Sequence, residues 1–278
     1  IVATAAGYAV YRMTSSVDVT AISGNREALR VMSCVIFCLL FGIIGFIDDF
    51  AKVAKKQNEG LTPKQKLALQ VVAAILWLAA MYWLGDRSTT IDLVFVRFDI
   101  RWFYYPVMVL VILYLTNAVN LTDGVDGLCG TVTLVAMLIF TLICSRLQMT
   151  SYTLFTMALA GGCLGFLVWN LHPAKCFMGD TGSMFLGAAV ASVGLATHQH
   201  LVLILVALVY ILEALSVMIQ VTYFKYTKKK YGEGRRIFKM TPIHHHFEMS
   251  GFSEYKIVIT FSLFGLIAGA VGLLLVTL

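Results

Sequence analysis

The chain has 278 residues, 59% of them apolar and only 13% charged, with a formal net charge of +6 and a mean hydropathy of +0.84. A soluble domain carries about a quarter charged residues, so this composition excludes one and predicts an all-α polytopic membrane protein. The positive balance suits orientation in a bilayer and acidic headgroups or phosphates as counterparts, and it does not call for nucleic acid.

Taken in order, with about 20 apolar residues needed to cross a bilayer, the sequence predicts a short first span over 1–12, about 18 Å at the helical rise. Eight complete spans follow, over 30–47, 66–84, 103–119, 128–145, 152–171, 182–197, 200–224 and 257–277. The connections alternate between two sides. One set (48–65, 120–127, 172–181 and 225–256), with the flanking Lys66 and Lys256, holds fourteen of the 21 Lys and Arg, which predicts a cytoplasmic location for it. Cys34, Cys38, Cys129, Cys144 and Cys163 lie in or beside apolar runs and Cys176 in a short loop, with no metal-type pairing and no disulfide framework.

The polar motifs all fall on the basic side. Asp48-Asp49-Phe-Ala-Lys52 ends an apolar run, where adjacent carboxylates repel unless a cation neutralises them; the bland reading is a solvated helix end with an i,i+4 ion pair. Between two spans, Asn117, Asn120, Asp123 and Asp126 recur every third residue, with Gly124 and Gly127 among them, and carboxylates beside lipid require a cation, water or polar substrate. Asn170 to Ser183 is a second polar break, containing Phe177 and Gly179-Asp180-Thr181-Gly182; a plain capped turn suits those residues equally well. Glu213 and Gln220 lie seven apart on one face of a span, suiting either function or an interhelical hydrogen bond. Lys228-Lys229-Lys230 reads as a headgroup-facing patch. His244-His245-His246 lacks the spacing of a zinc hydrolase and fits phosphate donors or general acid–base groups. Paired acids, amides, an aromatic, imidazoles and lysines form the inventory of metal-assisted phosphoryl transfer.

From about residue 30 onward the chain resembles the polyprenyl-phosphate N-acetylhexosamine-1-phosphate transferases. The resemblance rests on Asp48-Asp49-x-x-Lys52, Asn117-x-x-Asn120-x-x-Asp123-Gly-x-Asp126-Gly-Leu128, Phe177-Met-Gly-Asp180-x-Gly-Ser183 and Pro242-x-His244-His245-His246-x-Glu248. The last pattern, preceded by Lys239-Met-Thr, is similar to the branch whose substrates are UDP-MurNAc-pentapeptide and undecaprenyl phosphate and whose products are lipid I and UMP. The resemblance implies a magnesium ion, a single transmembrane transferase domain over 1–278, about ten spans in the complete family fold, a homodimer, sensitivity to nucleoside natural-product inhibitors and a bacterial inner-membrane location. It implies catalytic roles for Asp48, Asp49, Asp180 and His245, with Asp180 the magnesium ligand and Asp48 and Asp49 handling the lipid phosphate or assisting the metal. Lys52, His244 and His246 would meet phosphate, and Lys64 and Asn117 join the substrate-binding set. Asn120, Asp123, Asp126, Asn170, Phe177 and Gln220 would form the nucleotide pocket, with Phe177 stacking on uracil. The family's first span and its Pro-Thr-Met-Gly-Gly stretch are not in these residues, which is expected of a trimmed sequence. The rivals are a sister enzyme using UDP-GlcNAc, a secondary transporter and a membrane scaffold; polar motifs confined to one face and the lack of an internal repeat disfavour the transporter.

Overall fold

The computed structural model describes residues 22–55 and 60–276; the expected short span over 1–12 lies outside them. The described chain is helical apart from one small hairpin. In order, the elements are α1 (Ile22–Lys55), α2 (Pro63–Trp83), strands β1 (Thr90–Asp92) and β2 (Arg97–Asp99), then α3 (Tyr104–Thr122), α4 (Leu128–Arg146), α5 (Thr150–Asn170), α6 (Gly179–Ala196), α7 (His200–Val206), α8 (Leu208–Tyr231), α9 (Ile243–Glu248) and α10 (Glu254–Leu275). The antiparallel strands, which hydropathy alone does not reveal, pair Thr90 with Asp99 and Asp92 with Arg97 in the connection between α2 and α3.

Seven described helices are long and apolar enough to cross a membrane: Arg26–Ala54, Pro63–Trp83, Arg101–Thr122, Leu128–Arg146, Thr150–Asn170, Leu208–Tyr231 and Glu254–Leu275. Eight of the nine expected spans fall among the described residues, and the one of these that does not reach the length and hydropathy of a span is the run at 182–197. The run at 182–197 is α6, which packs chiefly against α1 and α3 and is buried at every position from Leu186 to Ala196, so protein rather than lipid surrounds it. The run at 200–224 is divided at Ala207 into the short α7 and the long α8, which continues as far as Tyr231. Small residues explain the placement of α6. A Cβ built on Gly45 of α1 would lie 2.2 Å from the Asp180 carbonyl oxygen, so the two helices meet backbone to backbone at this point.

Polar contacts sort to two ends of the bundle. At one end Arg30 donates to the Leu84 carbonyl, Glu27 accepts from the Ser151 N–H, and Asp86 pairs with His198 at 2.7 Å. The other end gathers the C-termini of α1 and α3, the N-termini of α2 and α6, and α9. There Thr62 and Gln65 form a reciprocal capping box around Pro63, which starts α2 and sets Lys66 on its first exposed turn, facing inward.

Candidate active site

Three carboxylates meet where α1 ends and α6 begins. Asp48, Asp49 and Asp180 each present an oxygen within 4.8 Å of the others. Asp48 is 4% exposed, accepts from the Leu61 N–H at 2.7 Å and pairs with Lys52 Nζ at 2.7 Å. Asp49 caps α6: its Oδ2 accepts from the Thr181 N–H at 2.9 Å and from Thr181 Oγ1 at 2.8 Å, where the helix dipole favours an anion. Asp180 Oδ2 receives Lys66 Nζ at 2.8 Å and Lys52 Nζ at 3.0 Å, while its Oδ1 accepts from Asn120 Nδ2 at 2.8 Å. Burial alone would raise the Asp180 pKa, but the hydrogen bonds from Lys66 and Asn120 and the positive charge of Lys66 outweigh it and hold the carboxyl well below its ordinary value.

Asp123, just past the end of α3, stands apart from this neutralised set. Its carboxylate accepts no hydrogen bond from the described residues, and burial, together with the negative charges of Asp180 and Asp49, pushes its pKa up to about 6. A half-buried acid without a partner, beside three others, is a position that a donor group or a cation would stabilise.

The remaining polar positions serve several ends. Asn117 exchanges hydrogen bonds with Gln70 of α2, at 2.8 Å and 3.3 Å. Asn170, 3% exposed, accepts from the Gly127 N–H and donates to the Cys176 carbonyl, tying the two polar breaks together. Gln220 closes both ends of its amide on the backbone of Ile237 and Phe238 and thereby pins the basic loop. Asp126 accepts from the Ala174 N–H and from His172, whose Nδ1 also lies 3.1 Å from Glu254, so the turn is latched to the start of α10. Phe177, three residues before Asp180, is 76% exposed, an open ring face available for stacking. On α9, His244 is fully buried against Glu213, His245 pairs with Glu248 at 2.8 Å, and His246 Nδ1 accepts from the Lys239 N–H.

Lys64 is exposed and pairs with none of the described acids, whereas Lys66, absent from the residues singled out by motif, reaches two of the three carboxylates. Two residues along a helix are about 200° apart around its axis, so the two lysines cannot share a face. The capping signature Thr62-Pro63-x-Gln65 was the signal available for this, because it fixes which residue of the first turn points into the bundle. Thr181, Ser183 and Gln70 also support the site, Ser183 by accepting from Asn120 at 2.8 Å.

The fold and site thus define a multi-pass α-helical membrane protein with a cluster of carboxylates and lysines at one end. Residues 31–198 match glycosyl transferase family 4, and the chain belongs to that family; it is a transferase. It is 43% identical to the phospho-N-acetylmuramoyl-pentapeptide-transferase of Halalkalibacterium halodurans over 241 residues, covering 86% of this chain and 72% of that one. The protein of the same name from Listeria welshimeri is 42% identical over 255 residues, 91% of this chain and 77% of its own. That from Acetivibrio thermocellus is 44% identical over 237 residues, 84% and 69% of the two chains.

Proposed function

We propose that this protein transfers phospho-MurNAc-pentapeptide from UDP-MurNAc-pentapeptide to undecaprenyl phosphate, releasing UMP and forming lipid I at the cytoplasmic face of a bacterial inner membrane. The observation that carries this reading is the meeting of Asp48, Asp49 and Asp180 with Lys52 and Lys66 at one end of an apolar bundle. The names of the relatives support the choice of substrates.

Three carboxylates against two ammonium groups leave one negative charge in excess before any substrate binds, and all the offered ligand atoms are hard oxygens. That donor set fits a magnesium ion, which takes one or two carboxylates together with substrate phosphates. Asp180, with Asp48 and Asp49 beside it, would hold the ion, which would supply charge neutralisation on the donor pyrophosphate. The lysines compete for the same oxygens in this arrangement. With the carboxylates engaged by a cation, Lys52 and Lys66 would donate to phosphate oxygens, their flexible stems allowing the exchange.

A non-bridging oxygen of the lipid phosphate attacks the sugar-side phosphorus of the donor, its P–O bond to UMP breaks, and the electron pair leaves on the UMP phosphate. A phosphate monoester is already largely dianionic near neutral pH, so direct attack requires alignment more than deprotonation. Asp49, immobilised by Thr181, and Asp48, immobilised by Leu61, keep the reacting end fixed. The exposed Phe177 ring would stack on uracil, and His245 on the facing helix would donate to phosphate. The test follows a labelled sugar from the water-soluble donor into solvent-extractable lipid with purified protein. Transfer from UDP-MurNAc-pentapeptide supports the reading; transfer from UDP-GlcNAc alone assigns the chain to another substrate.

A further inference from the structure

Glu213 of α8 and His244 of α9 form a hydrogen-bonded pair in which neither side chain has any solvent exposure. Glu213 Oε2 accepts from His244 Nδ1 at 3.0 Å and lies 3.4 Å from the His244 backbone nitrogen. The second oxygen of the glutamate, Oε1, and the second ring nitrogen, Nε2, are buried without a hydrogen-bond partner among the described residues. Two bonds to one carboxylate oxygen fix the proton on Nδ1 and the plane of the ring, and they leave Nε2 pointing away from α8. What it meets is the bare backbone of Gly124: a Cβ there would stand 2.4 Å from His244 Nε2 and 3.4 Å from His245 Nε2. The two imidazoles lie 4.2 Å apart between centroids, so both rings rest on the turn that carries Asp123 and Asp126.

A buried polar pair of this kind is a poor source of stability, since apolar side chains of the same volume fill such a space at less cost; what it supplies is one orientation. We infer that Glu213 is a positioning residue: through His244 it seats α9 on Gly124 and so sets where Asp123 and His245 stand relative to the carboxylate cluster. This inference rests on the transferase reading above. Glu213 touches none of the three clustered carboxylates, and its side chain bonds only His244 among the described residues, chiefly at the ring.

The experiment compares Glu213→Gln, His244→Gln and the double variant in the full chain, measuring kcat and KM for the donor in UMP release. It also records histidine ring N–H resonances by 15N NMR in detergent. Glu213→Gln should lower kcat about tenfold or more with a smaller change in KM, and adding it to His244→Gln should cost nothing further. The spectrum of the unsubstituted protein should contain a strongly downfield Nδ1–H resonance that is absent from both single variants. Should Glu213→Gln fail to fold, Glu213→Asp retains the charge but lacks the reach, and the same loss of kcat and of resonance is expected. An unchanged kcat in the folded variant, losses that add in the double variant, or no downfield resonance in the unsubstituted protein would overturn the inference. If the unsubstituted protein releases no UMP, the transferase reading fails, and the resonance still reports separately on the pair.

Discussion

Asp180 concentrates the site's electrostatics: one oxygen holds two ammonium groups at 2.8 Å and 3.0 Å, and the other holds an amide. Removing its charge while keeping its shape should release both lysines and leave Asp48 and Asp49 short of a partner for a cation. Asp180→Asn is therefore expected to lower UMP release by about 10²–10³-fold with the protein still folded and monodisperse; activity within a factor of two would contradict that role. Asp123 gives a pH signature. Its carboxyl is raised to about 6 in the folded chain from an ordinary value of 3.8. The folded state thus binds more protons than the unfolded one over that interval, and stability falls as pH rises from about 4 to about 6. The cost of ionising it is on the order of 3 kcal/mol. In the presence of a chelator, thermal melting of Asp123→Asn should lose less stability over this range than the unsubstituted protein, and identical slopes would refute the assignment. At this scale the motifs exposed the acids, because carboxylates beside apolar runs stand out. Asn170 and Gln220 were harder to read: an amide that bonds a ligand and one that pins a loop backbone have the same sequence signature.

At the scale of elements, the cluster exists because α1 and α6 touch. Asp48 and Asp49 ride on the end of one and Asp180 on the start of the other, and Gly45 is the point of contact. Gly45→Ala adds one methyl group 2.2 Å from the Asp180 carbonyl oxygen, in a place where no flexible side chain can give way. The helices must part, at a cost of about 1–3 kcal/mol, carrying the carboxylates with them. Turnover should fall more than tenfold although every chemical group is retained; a variant with normal kcat would show that the contact does not govern the site. Apolar run length located most of the helices, with boundaries soft by a few residues. It could not tell α6 from a lipid-facing span, since both are apolar and only tertiary contacts distinguish them. It also passed over the break at Ala207, which carries no proline or glycine signal.

For the whole molecule, four motifs far apart in sequence converge at one end while Glu27, Arg30, Asp86 and His198 gather at the other, as the alternation of the connections and their unequal basic content anticipated. The bias in Lys and Arg toward the cluster's end is the basis of the proposed cytoplasmic location. Cys176, in the loop beside Phe177, is the exposed cysteine; the other five are buried. A membrane-impermeant maleimide should therefore label Cys176 in inside-out vesicles and not in intact spheroplasts, and the opposite pattern would invert the proposed topology. If the carboxylate–lysine cluster performs cation-assisted phosphoryl transfer to a lipid phosphate, the decisive experiment is UMP release from the purified protein in detergent, given UDP-MurNAc-pentapeptide and undecaprenyl phosphate, with magnesium and with a chelator. Release should require both the lipid phosphate and magnesium. Release that persists in the chelator, or no release under any of these conditions, would refute that role.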